Sequence, residues 1–416
     1  MSPEKFSMRP AALRAPACGT AGKRLFQGIP GVETAGDRLF VSHYANDIAG
    51  EGPGNYAVLL ASGDGGKNWE EILHVLPPDP GSRVYDPVLW RDPEGRLWMF
   101  WAQCRSEKLW DCFDGRAGVW ASVCRDPAAA KLRWSAPRRL ADGVMMNKPE
   151  VRKDGSWILP VALWSNYPEK LAPEQRPCAR SNLLVTKDGG KTFTLIIGPD
   201  ISGRSFDEHV AVEKRDGSLW VLARTKYGIG ESFSRDGGKT WSASQDSGLG
   251  GPGSRFALRR LRSGRLCLVN HQSTHLLPGE TPPENQVREK LSVWLSDDDG
   301  KSWYGRLLLD ARKNVSYPDI AEGSDGFIYE VHDFERLVHG QILLSRFTER
   351  DVASGELVTP GAFRLMTVSS LLPERDRTKA DNFSDKCGRY GAQQGEKMPT
   401  KNVPVKTDMP AKGIRP

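Results

Sequence analysis

Short apolar segments alternate with turn residues along almost the whole chain. A turn residue followed by a short apolar run occurs six times, as Asp37-Arg-Leu-Phe, Gly95-Arg-Leu-Trp, Gly155-Ser-Trp-Ile, Gly217-Ser-Leu-Trp, Gly264-Arg-Leu-Cys and Gly326-Phe-Ile-Tyr. Successive anchors of this kind are 58, 60, 62, 47 and 62 residues apart. Each interval has room for about four strands of ordinary length with their connecting turns. The chain is therefore predicted to consist of six similar units of four strands.

A second motif marks one turn in most of these units. Four copies share the same spacing, Ser62-x-Asp64-x-Gly66-x-x-Trp69, Thr186-x-Asp188-x-Gly190-x-x-Phe193, Ser234-x-Asp236-x-Gly238-x-x-Trp241 and Ser296-x-Asp298-x-Gly300-x-x-Trp303. The hydroxyl and carboxylate can accept bonds from nearby backbone amides and the glycine permits a positive φ, so each copy predicts a tight hairpin between strands three and four. Unit two has a degraded form between Ser122 and Trp134, and unit six has none.

Six units of four strands with two hairpin turns each are typical of a six-bladed β-propeller, so the fold class is predicted to be all-β. The propeller is expected over residues 23–372, between an N-terminal segment of residues 1–22 and a polar, basic tail of residues 373–416 that we expect to be disordered. A pair of β-sandwiches is the alternative, but it would not require six similar periods.

The repeat also predicts where a pocket lies. The start of the first strand and the end of the second strand share the face opposite the anchor turn, and the first strand of a propeller blade is innermost. Nine residues before the anchors stand Gly28, Asp86, Met146, Glu208, Arg255 and Tyr317, and seven residues after them stand Tyr44, Ala102, Ala162, Arg224, His271 and Asp333. Eight of these twelve residues can ionise or hydrogen-bond, which indicates a polar pocket at the axis. The Ser/Thr-Asp-Gly turns fall on the far face and are expected to be scaffold.

Third strands also start on the pocket face. Counting back from the turn motifs brings Glu51 to this face in unit one, eleven residues before Ser62, and Arg288 in unit five, eight residues before Ser296. Asp47 stands four residues before Glu51 and is the alternative carboxylate.

Charge and composition exclude several kinds of partner. Residues 374–416 carry ten basic and six acidic residues, so +4 of the net charge of +6 lies there and the rest is nearly neutral. No apolar run approaches the ~18 residues of a membrane helix, and no secretory signal is recognisable. Seven scattered cysteines without a CxxC pair predict thiols in a reducing compartment. We expect a cytoplasmic protein, or a secreted one if the start is truncated, with no nucleic-acid or membrane partner.

Several stretches on the predicted pocket face are similar to those of one family. They are Phe206-Asp-Glu-His, Leu219-Trp-Val-Leu-Ala-Arg224, Arg288-Glu-Lys-Leu-Ser-Val, Ser316-Tyr-Pro-Asp and Ile328-Tyr-Glu330. With the six units and the four turn motifs, they resemble the sialidase (neuraminidase) superfamily over roughly residues 23–350. The resemblance implies a sialidase-type propeller and a glycoside hydrolase that acts on an acidic sugar.

The resemblance also implies roles for particular residues. Tyr317 matches the family's nucleophile and Glu208 the glutamate that activates it. Arg224 and Arg288 match the second and third arginines that hold the sugar carboxylate, and Glu330 matches the glutamate that steadies the first arginine. A phenol suits this substrate because the carboxylate on the anomeric carbon would repel an Asp or Glu nucleophile. Arginines supply bidentate, charge-assisted bonds to a carboxylate.

Two departures from the family pattern stand out. Gly28 occupies the position of the first arginine, in Gln27-Gly28-Ile29-Pro30, which removes a contact worth about 1.5–3 kcal/mol. Glu330 is then expected to pair with Arg24 or Arg255 instead. The acid/base aspartate has no clear counterpart, so Glu51 and Asp47 are the candidates.

Substrate contacts are also predicted for Arg255, Asp86 and His271, which share the pocket face. His43, His209, His271 and His332 all fall near this face, but no His/Cys spacing indicates a metal site, so no metal and no cofactor are predicted. The leading hypothesis is a retaining exo-α-sialidase-like hydrolase that takes an acidic-sugar glycan. The alternatives are a glycosidase or lyase for another acidic sugar such as a uronate, and a glycan-binding propeller without catalysis.

Overall fold

β-strands form nearly all the regular structure of the computed structural model. The structure describes residues 8–16, 24–105, 111–164, 167–272 and 287–371. The strands of blades 1 to 3 are β1 (Ala12–Arg14), β2 (Phe26–Ala35), β3 (Arg38–Asn46), β4 (Tyr56–Ser62) and β5 (Glu70–Leu76); β6 (Ser82–Arg91), β7 (Leu97–Arg105), β8 (Gly118–Cys124) and β9 (Arg138–Asp142); and β10 (Glu150–Val151), β11 (Trp157–Ala162), β12 (Ser181–Thr186) and β13 (Thr194–Ile196). Those of blades 4 to 6 are β14 (Val210–Glu213), β15 (Leu219–Thr225), β16 (Gly228–Ser234) and β17 (Gln245–Asp246); β18 (Ala257–Arg260), β19 (Leu266–His271), β20 (Glu289–Ser296) and β21 (Tyr304–Lys313); and β22 (Val315–Glu322), β23 (Ile328–Phe334), β24 (Gln341–Phe347) and β25 (Phe363–Ser369).

These strands confirm the predicted six-bladed β-propeller. Each blade is an antiparallel sheet whose four main strands follow chain order. Blade 1 has a fifth strand, because β1 pairs with the outer edge of β5, with Ala12 opposite Leu76. This strand lies inside the segment of residues 1–22 and was not predicted, since three residues carry no alternation pattern. The tail predicted over residues 373–416 lies outside the described residues.

The Ser/Thr-Asp-Gly motifs form the turns that the sequence predicts. In blade 1 the Ser62 hydroxyl donates to Asp64 at 2.8 Å and accepts from the Gly66 amide at 3.0 Å, and the same contacts recur in the other three copies. Each motif glycine also lies against the preceding blade. A Cβ atom on Gly66 would lie 2.7 Å from Leu344 of blade 6, and one on Gly300 would lie 2.5 Å from Trp220 of blade 4. The motifs therefore couple neighbouring blades and are scaffold.

Blade 6 uses a different device in place of the missing motif. A short helix, α1 (Glu349–Ser354), follows β24. Thr348 caps its N-terminus in a capping box with Asp351, and Gly355 ends it with a φ of 77°. Capping at both ends lets so short a helix persist between two strands.

Blades meet through apolar faces and through buried cations at the axis. The ring closes where Val32 and Val41 of blade 1 pack with Leu344 of blade 6. Lys148 of blade 3 lies 3.0 Å from Asp319 of blade 6 and donates to carbonyl oxygens of blades 1 and 2. A buried ammonium group with this many partners fixes the positions of four blades. Among the described residues, no helix is long and apolar enough to cross a membrane.

Candidate active site

Three inner strands carry the same distortion at their pocket end. β2, β6 and β22 each contain a β-bulge, and the bulged residues Ile29, Asp86 and Tyr317 have φ values of 54°, 50° and 57°. Each of these residues precedes a proline. Bulges re-aim side chains, and positive φ in non-glycine residues is a strained conformation that clusters at functional sites. The three bulged residues are therefore candidates for functional residues.

One part of the predicted register is wrong by a residue. The sequence aligned Gly28 with Asp86 and Tyr317, but the structure aligns Ile29 with them. The cause is the first hairpin turn. In blade 1 Thr34 pairs with Leu39, whereas in blade 2 Arg91 pairs with Leu97, so the blade 1 turn is one residue shorter.

Tyr317 lies at the centre of a group of guanidinium groups. Its side chain is buried, with 5% exposed. The guanidinium carbons of Arg336, Arg288 and Arg255 lie 4.7, 5.1 and 5.5 Å from the centre of its ring. At these distances a cation is attracted to the face of an aromatic ring. The structure thus brings Tyr317 and Arg288 together, as the resemblance implies, and adds Arg336, which the sequence did not indicate.

Glu208 is a buried carboxylate with one engaged oxygen. Its Oε1 accepts a 2.6 Å bond from Nη1 of Arg224, and its Oε2 is buried without a hydrogen-bond partner. Arg224 in turn lies over the ring of Phe206, 4.9 Å from its centre. Glu208 and Arg224 are therefore paired with each other. A buried oxygen without a partner is costly, which points to a ligand or proton donor that completes the site.

Arg288 belongs to the same charged cluster. Its Nη2 donates to the Gly253 carbonyl at 3.0 Å. Burial lowers its pKa, and the positive charges of Arg224 and Arg336 act in the same direction, while Tyr317 and Glu208 oppose them. Several cations held close together in a buried site indicate an anionic ligand.

Two carboxyl groups reach this cluster, and a third does not. Asp86 is buried, and burial together with the negative charges of Glu51 and Glu208 raises its pKa to about 8. Glu51 lies at the rim, 3.5 Å from Nη2 of Arg83 and 3.7 Å from Nη2 of Arg336. Asp47 is exposed, and the structure does not bring it to this cluster. Its charge acts on Tyr56 instead.

Arg255 has a different environment from the one predicted for a substrate contact. Its Nη1 donates to the carbonyl of Met146 at 2.8 Å. Its Nη2 lies 2.8, 2.9 and 3.2 Å from the carbonyl oxygens of Pro30, Tyr317 and Pro318. These carbonyls belong to blades 1, 3 and 6, so the side chain holds the backbone under the pocket, including the strained peptide at Tyr317.

Replacing Arg255 by methionine should destabilise the whole propeller. The methylene stem would still pack, but four buried carbonyl groups would lose their donor, which is expected to lower the free energy of unfolding by about 3 kcal/mol or more. Arg262→Met is the matched control, because that side chain is 55% exposed and pairs with Glu322 at the surface. Urea denaturation measures both. Equal stability of the two variants would contradict the anchoring role.

Within the described residues, Glu330 pairs with a histidine and with no arginine, which corrects the expected pairing with Arg24 or Arg255. Its two oxygens lie 3.1 Å from Nδ1 of His332, and Nε2 of His332 lies 3.2 Å from Asp310. Burial opposes the positive charge of His332, but the two carboxylates raise its pKa to about 9. Arg24 pairs with Glu71 at 2.8 Å. Glu330 is therefore part of a buried network between blades 5 and 6.

His271 is also enclosed. Its Nε2 lies 2.9 Å from the Val315 carbonyl, and burial lowers its pKa to about 3, so the ring is neutral and donates through Nε2. Its Nδ1 is buried without a partner. In the described part of the chain, no group of three or more His, Cys, Asp or Glu side chains is placed to hold a metal ion.

Sequence reasoning missed three features beside the cluster. Arg336 lies in the loop after β23, and Arg83 is buried with its guanidinium 4.0 Å above the ring of Tyr85. The third feature is an aromatic wall, which consists of Phe113, Trp164, Tyr167 and Phe206 with neighbouring ring centres 5.2–5.9 Å apart. Of these four, the sequence placed only Phe206 on the pocket face. None of these residues lies nine residues before or seven residues after an anchor turn. All but Arg83 stand in connections whose length differs from blade to blade.

The fold and the cluster together define a class of protein. The six-bladed propeller is the fold of solved sialidase structures. Over residues 39–330, more than half of the chain, the sequence matches the family described as BNR repeat-like domain. The chain belongs to this family and is a sialidase-like BNR-repeat protein.

Solved structures share the fold at low sequence identity. The Hadza microbial sialidase Hz136 is 16% identical with a TM-score of 0.60, over 79% of this chain and 67% of that one. The intramolecular trans-sialidase from Ruminococcus gnavus is 14% identical with a TM-score of 0.58, over 82% and 97%.

A protein of unknown function from Dyadobacter fermentans is 17% identical with a TM-score of 0.56, over 79% and 95%. The chain spans about half of Trypanosoma rangeli sialidase, 52% of that chain at 16% identity and a TM-score of 0.57. No curated protein sequence matches the chain significantly. At these identities the likeness shows the fold.

Proposed function

We propose that this chain is a glycoside hydrolase that releases a terminal acidic sugar, with N-acetylneuraminic acid (sialic acid) as the first candidate. The observation that carries the proposal is the position of Tyr317. Its backbone is strained, with a φ of 57°, and its ring lies among guanidinium groups beside the charged cluster of Glu208. Strain that the surrounding structure holds in place is typical of functional residues. The motifs that resemble sialidases support sialic acid as the sugar.

The chemistry proceeds in two balanced steps. The Tyr317 oxygen attacks the anomeric carbon and gives its proton to Oε2 of Glu208, while the bond to the leaving oxygen breaks and that oxygen takes a proton from Asp86. A water molecule then attacks the glycosyl-tyrosine, gives its proton to Asp86, and the phenol regains its own. Two displacements at one carbon retain the configuration.

Asp86 is assigned as the proton donor because of its environment. Glu51 and Asp47 are the candidates from the sequence, but Glu51 lies at the rim between Arg83 and Arg336, and Asp47 is exposed. Asp86 is buried, and its raised pKa of about 8 keeps it protonated at neutral pH. A general acid works best when its pKa lies near the working pH.

The aromatic wall offers a surface for the rest of the sugar. Trp164 and Phe206 meet edge to face at 5.5 Å, and Phe206 also lies under Arg224. Apolar faces next to a few charged groups are the usual composition of a sugar-binding pocket. The proposed ligand is therefore a sugar with one anionic edge and one apolar face.

The wild type should hydrolyse a fluorogenic α-sialoside, and the α-anomer of free sialic acid should appear first. Fluorescence gives the rate, and proton NMR during the first minutes gives the anomer. Initial release of the β-anomer would contradict the covalent route. A β-glucuronide and an α-galacturonide serve as parallel substrates, and turnover of one of these alone would assign the protein to another acidic sugar.

One contact favours a second candidate, glycan binding without hydrolysis. Arg224 engages Oε1 of Glu208 at 2.6 Å, so one carboxylate oxygen already has a partner within the chain. If every substrate is inert while calorimetry detects sialic acid binding, this candidate replaces the first. The cytoplasmic location stays a prediction.

A further inference from the structure

Arg336 is held at a fixed place beside the pocket by its loop. The Glu335 carbonyl accepts bonds of 2.8 Å from the amides of Val338, His339 and Gly340, and the Glu335 amide donates to the Asn314 carbonyl at 2.9 Å. The loop is therefore closed on itself and tied to the start of β22. This fixes the backbone from which the Arg336 side chain extends.

The stem of Arg336 occupies the space that a side chain at position 28 would need. A Cβ atom on Gly28 would lie 2.9 Å from the Cβ of Arg336, 3.0 Å from its Cδ and 3.0 Å from Oδ2 of Asp333. The shortest of these contacts is with the Cβ atom of Arg336, whose position is fixed by the backbone. An arginine at position 28 and Arg336 in its present position therefore exclude each other.

The guanidinium of Arg336 is weakly engaged. Its Nη1 lies 3.5 Å from Oγ of Ser316, its Nη2 lies 3.7 Å from Oε1 of Glu51, and its Nε is buried without a partner. Burial opposes its charge, but Tyr317, Asp333 and Glu51 hold its pKa well above the ordinary value. A permanent cation with donors to spare is suited to bind a carboxylate.

We infer that Arg336 supplies, from the loop of blade 6, the guanidinium that Gly28 cannot supply from blade 1, and that with Arg288 it binds the carboxylate of the sugar. The two guanidinium groups lie 4.7 and 5.1 Å from the centre of the same Tyr317 ring. One arginine of the carboxylate-binding site thus comes from blade 6 instead of blade 1. This inference rests on the proposed function, because it assigns a partner to the carboxylate of that substrate.

The test compares a sugar acid with its neutral ester. Calorimetry measures binding of 2-deoxy-2,3-didehydro-N-acetylneuraminate and of its methyl ester to wild type, Arg336→Ala and Arg336→Lys. We expect Arg336→Ala to weaken binding of the acid by about 10- to 100-fold and binding of the ester by less than about threefold, with Arg336→Lys between. A role in folding alone would weaken both ligands equally, which would overturn the inference.

Arg346 offers a matched control in the same blade. Its side chain is 23% exposed, against 20% for Arg336, and its guanidinium lies 3.7 Å above the ring of Phe327 on the other side of the blade. Arg346→Ala should leave both affinities within about twofold of wild type, which is the scale of effect expected far from a site.

Exchange of the two positions is a second test, and Arg336→Lys, which keeps the stem and a positive charge, keeps the inference testable if Arg336→Ala unfolds. Gly28→Arg combined with Arg336→Gly should bind the acid at least about tenfold more tightly than Arg336→Gly alone, since one guanidinium is restored. No recovery overturns the inference. If wild type binds the acid and Arg336→Ala binds it equally well, the inference fails and the proposed function stands. If wild type neither binds nor hydrolyses any acidic sugar, the proposed function fails as well.

Discussion

Tyr317→Phe should reduce the turnover of an α-sialoside by about a thousandfold or more while ligand binding and folding are preserved. The substitution removes only the phenol oxygen, which is the atom proposed to attack the anomeric carbon. The ring keeps its place above Arg288 and Arg336, so the bulge and the charged cluster should remain intact. Stopped-assay fluorescence measures the rate, and calorimetry with the didehydro sugar acid measures binding.

Tyr329→Phe is the control for this loss. Tyr329 lies in β23 of the same blade, and its hydroxyl donates to Asp325 at 2.8 Å, away from the pocket. Its removal should change turnover by less than about twofold, as expected of a surface bond. A Tyr317→Phe enzyme that retained more than a tenth of the activity would exclude the covalent route. The oxygen nucleophile would then have to be water.

The propeller itself could be predicted because its signals are local and repeated. Each turn motif fixes one hairpin through bonds within five residues, and each anchor fixes another, so six copies report the period directly. Tyr317 and Asp86 were found by the same counting, since they occupy the same place relative to their anchors. Gly28 was misaligned for the same reason, because a turn shorter by one residue is invisible to counting but shifts every pair along a strand.

The partners of charged residues could not be predicted in the same way. Arg255 and Arg288 have the same chemistry and fall on the same face, yet only the folded chain places four backbone carbonyls around the first and one beside the second. Glu330 contacts His332 two residues away, while the second partner of that histidine, Asp310, comes from the preceding blade. Arg336 stands in a loop whose length no repeat fixes. Contacts between blades depend on packing, which a single period does not encode.

Asp86→Asn should reduce kcat/KM for sialyllactose by about a hundredfold to ten-thousandfold and remove the fall in activity that we expect of wild type as the pH rises through about 8. Asparagine adopts positive φ readily, so the strained backbone at this position is tolerated. The loss should be smaller for an aryl sialoside, whose leaving group needs less protonation. Rates with both substrates between pH 5 and 10 provide the measurement.

Stability should also fall as the pH rises, but over a window that ends near the pH at which the fall in activity begins. Between the ordinary Asp pKa of 3.8 and the folded value of about 8, the unfolded chain has lost a proton that the folded chain keeps. Rising pH therefore favours the unfolded state across this window and has no further effect above it. Asp86→Asn has no such proton, so its melting temperature relative to wild type should rise between pH 5 and pH 9.

Glu150→Gln is the control for Asp86→Asn, because it removes another carboxyl group whose pKa burial raises but which has no proposed role in catalysis. Burial raises the pKa of Glu150 from 4.5 to about 7, with Glu213 adding to it, and Arg259 and Arg260 opposing. The same linkage predicts that this variant also gains stability relative to wild type as the pH rises, over the lower window from 4.5 to about 7. Its activity profile should match that of wild type, because Glu150 lies outside the charged cluster.

If the alkaline fall in activity persisted in Asp86→Asn, the proton would reside on another group, and Glu51 would be the next to replace. Both variants should gain stability relative to wild type as the pH rises, but only Asp86→Asn should lose the alkaline fall in activity. That result would identify Asp86 as the source of the proton that the leaving oxygen takes.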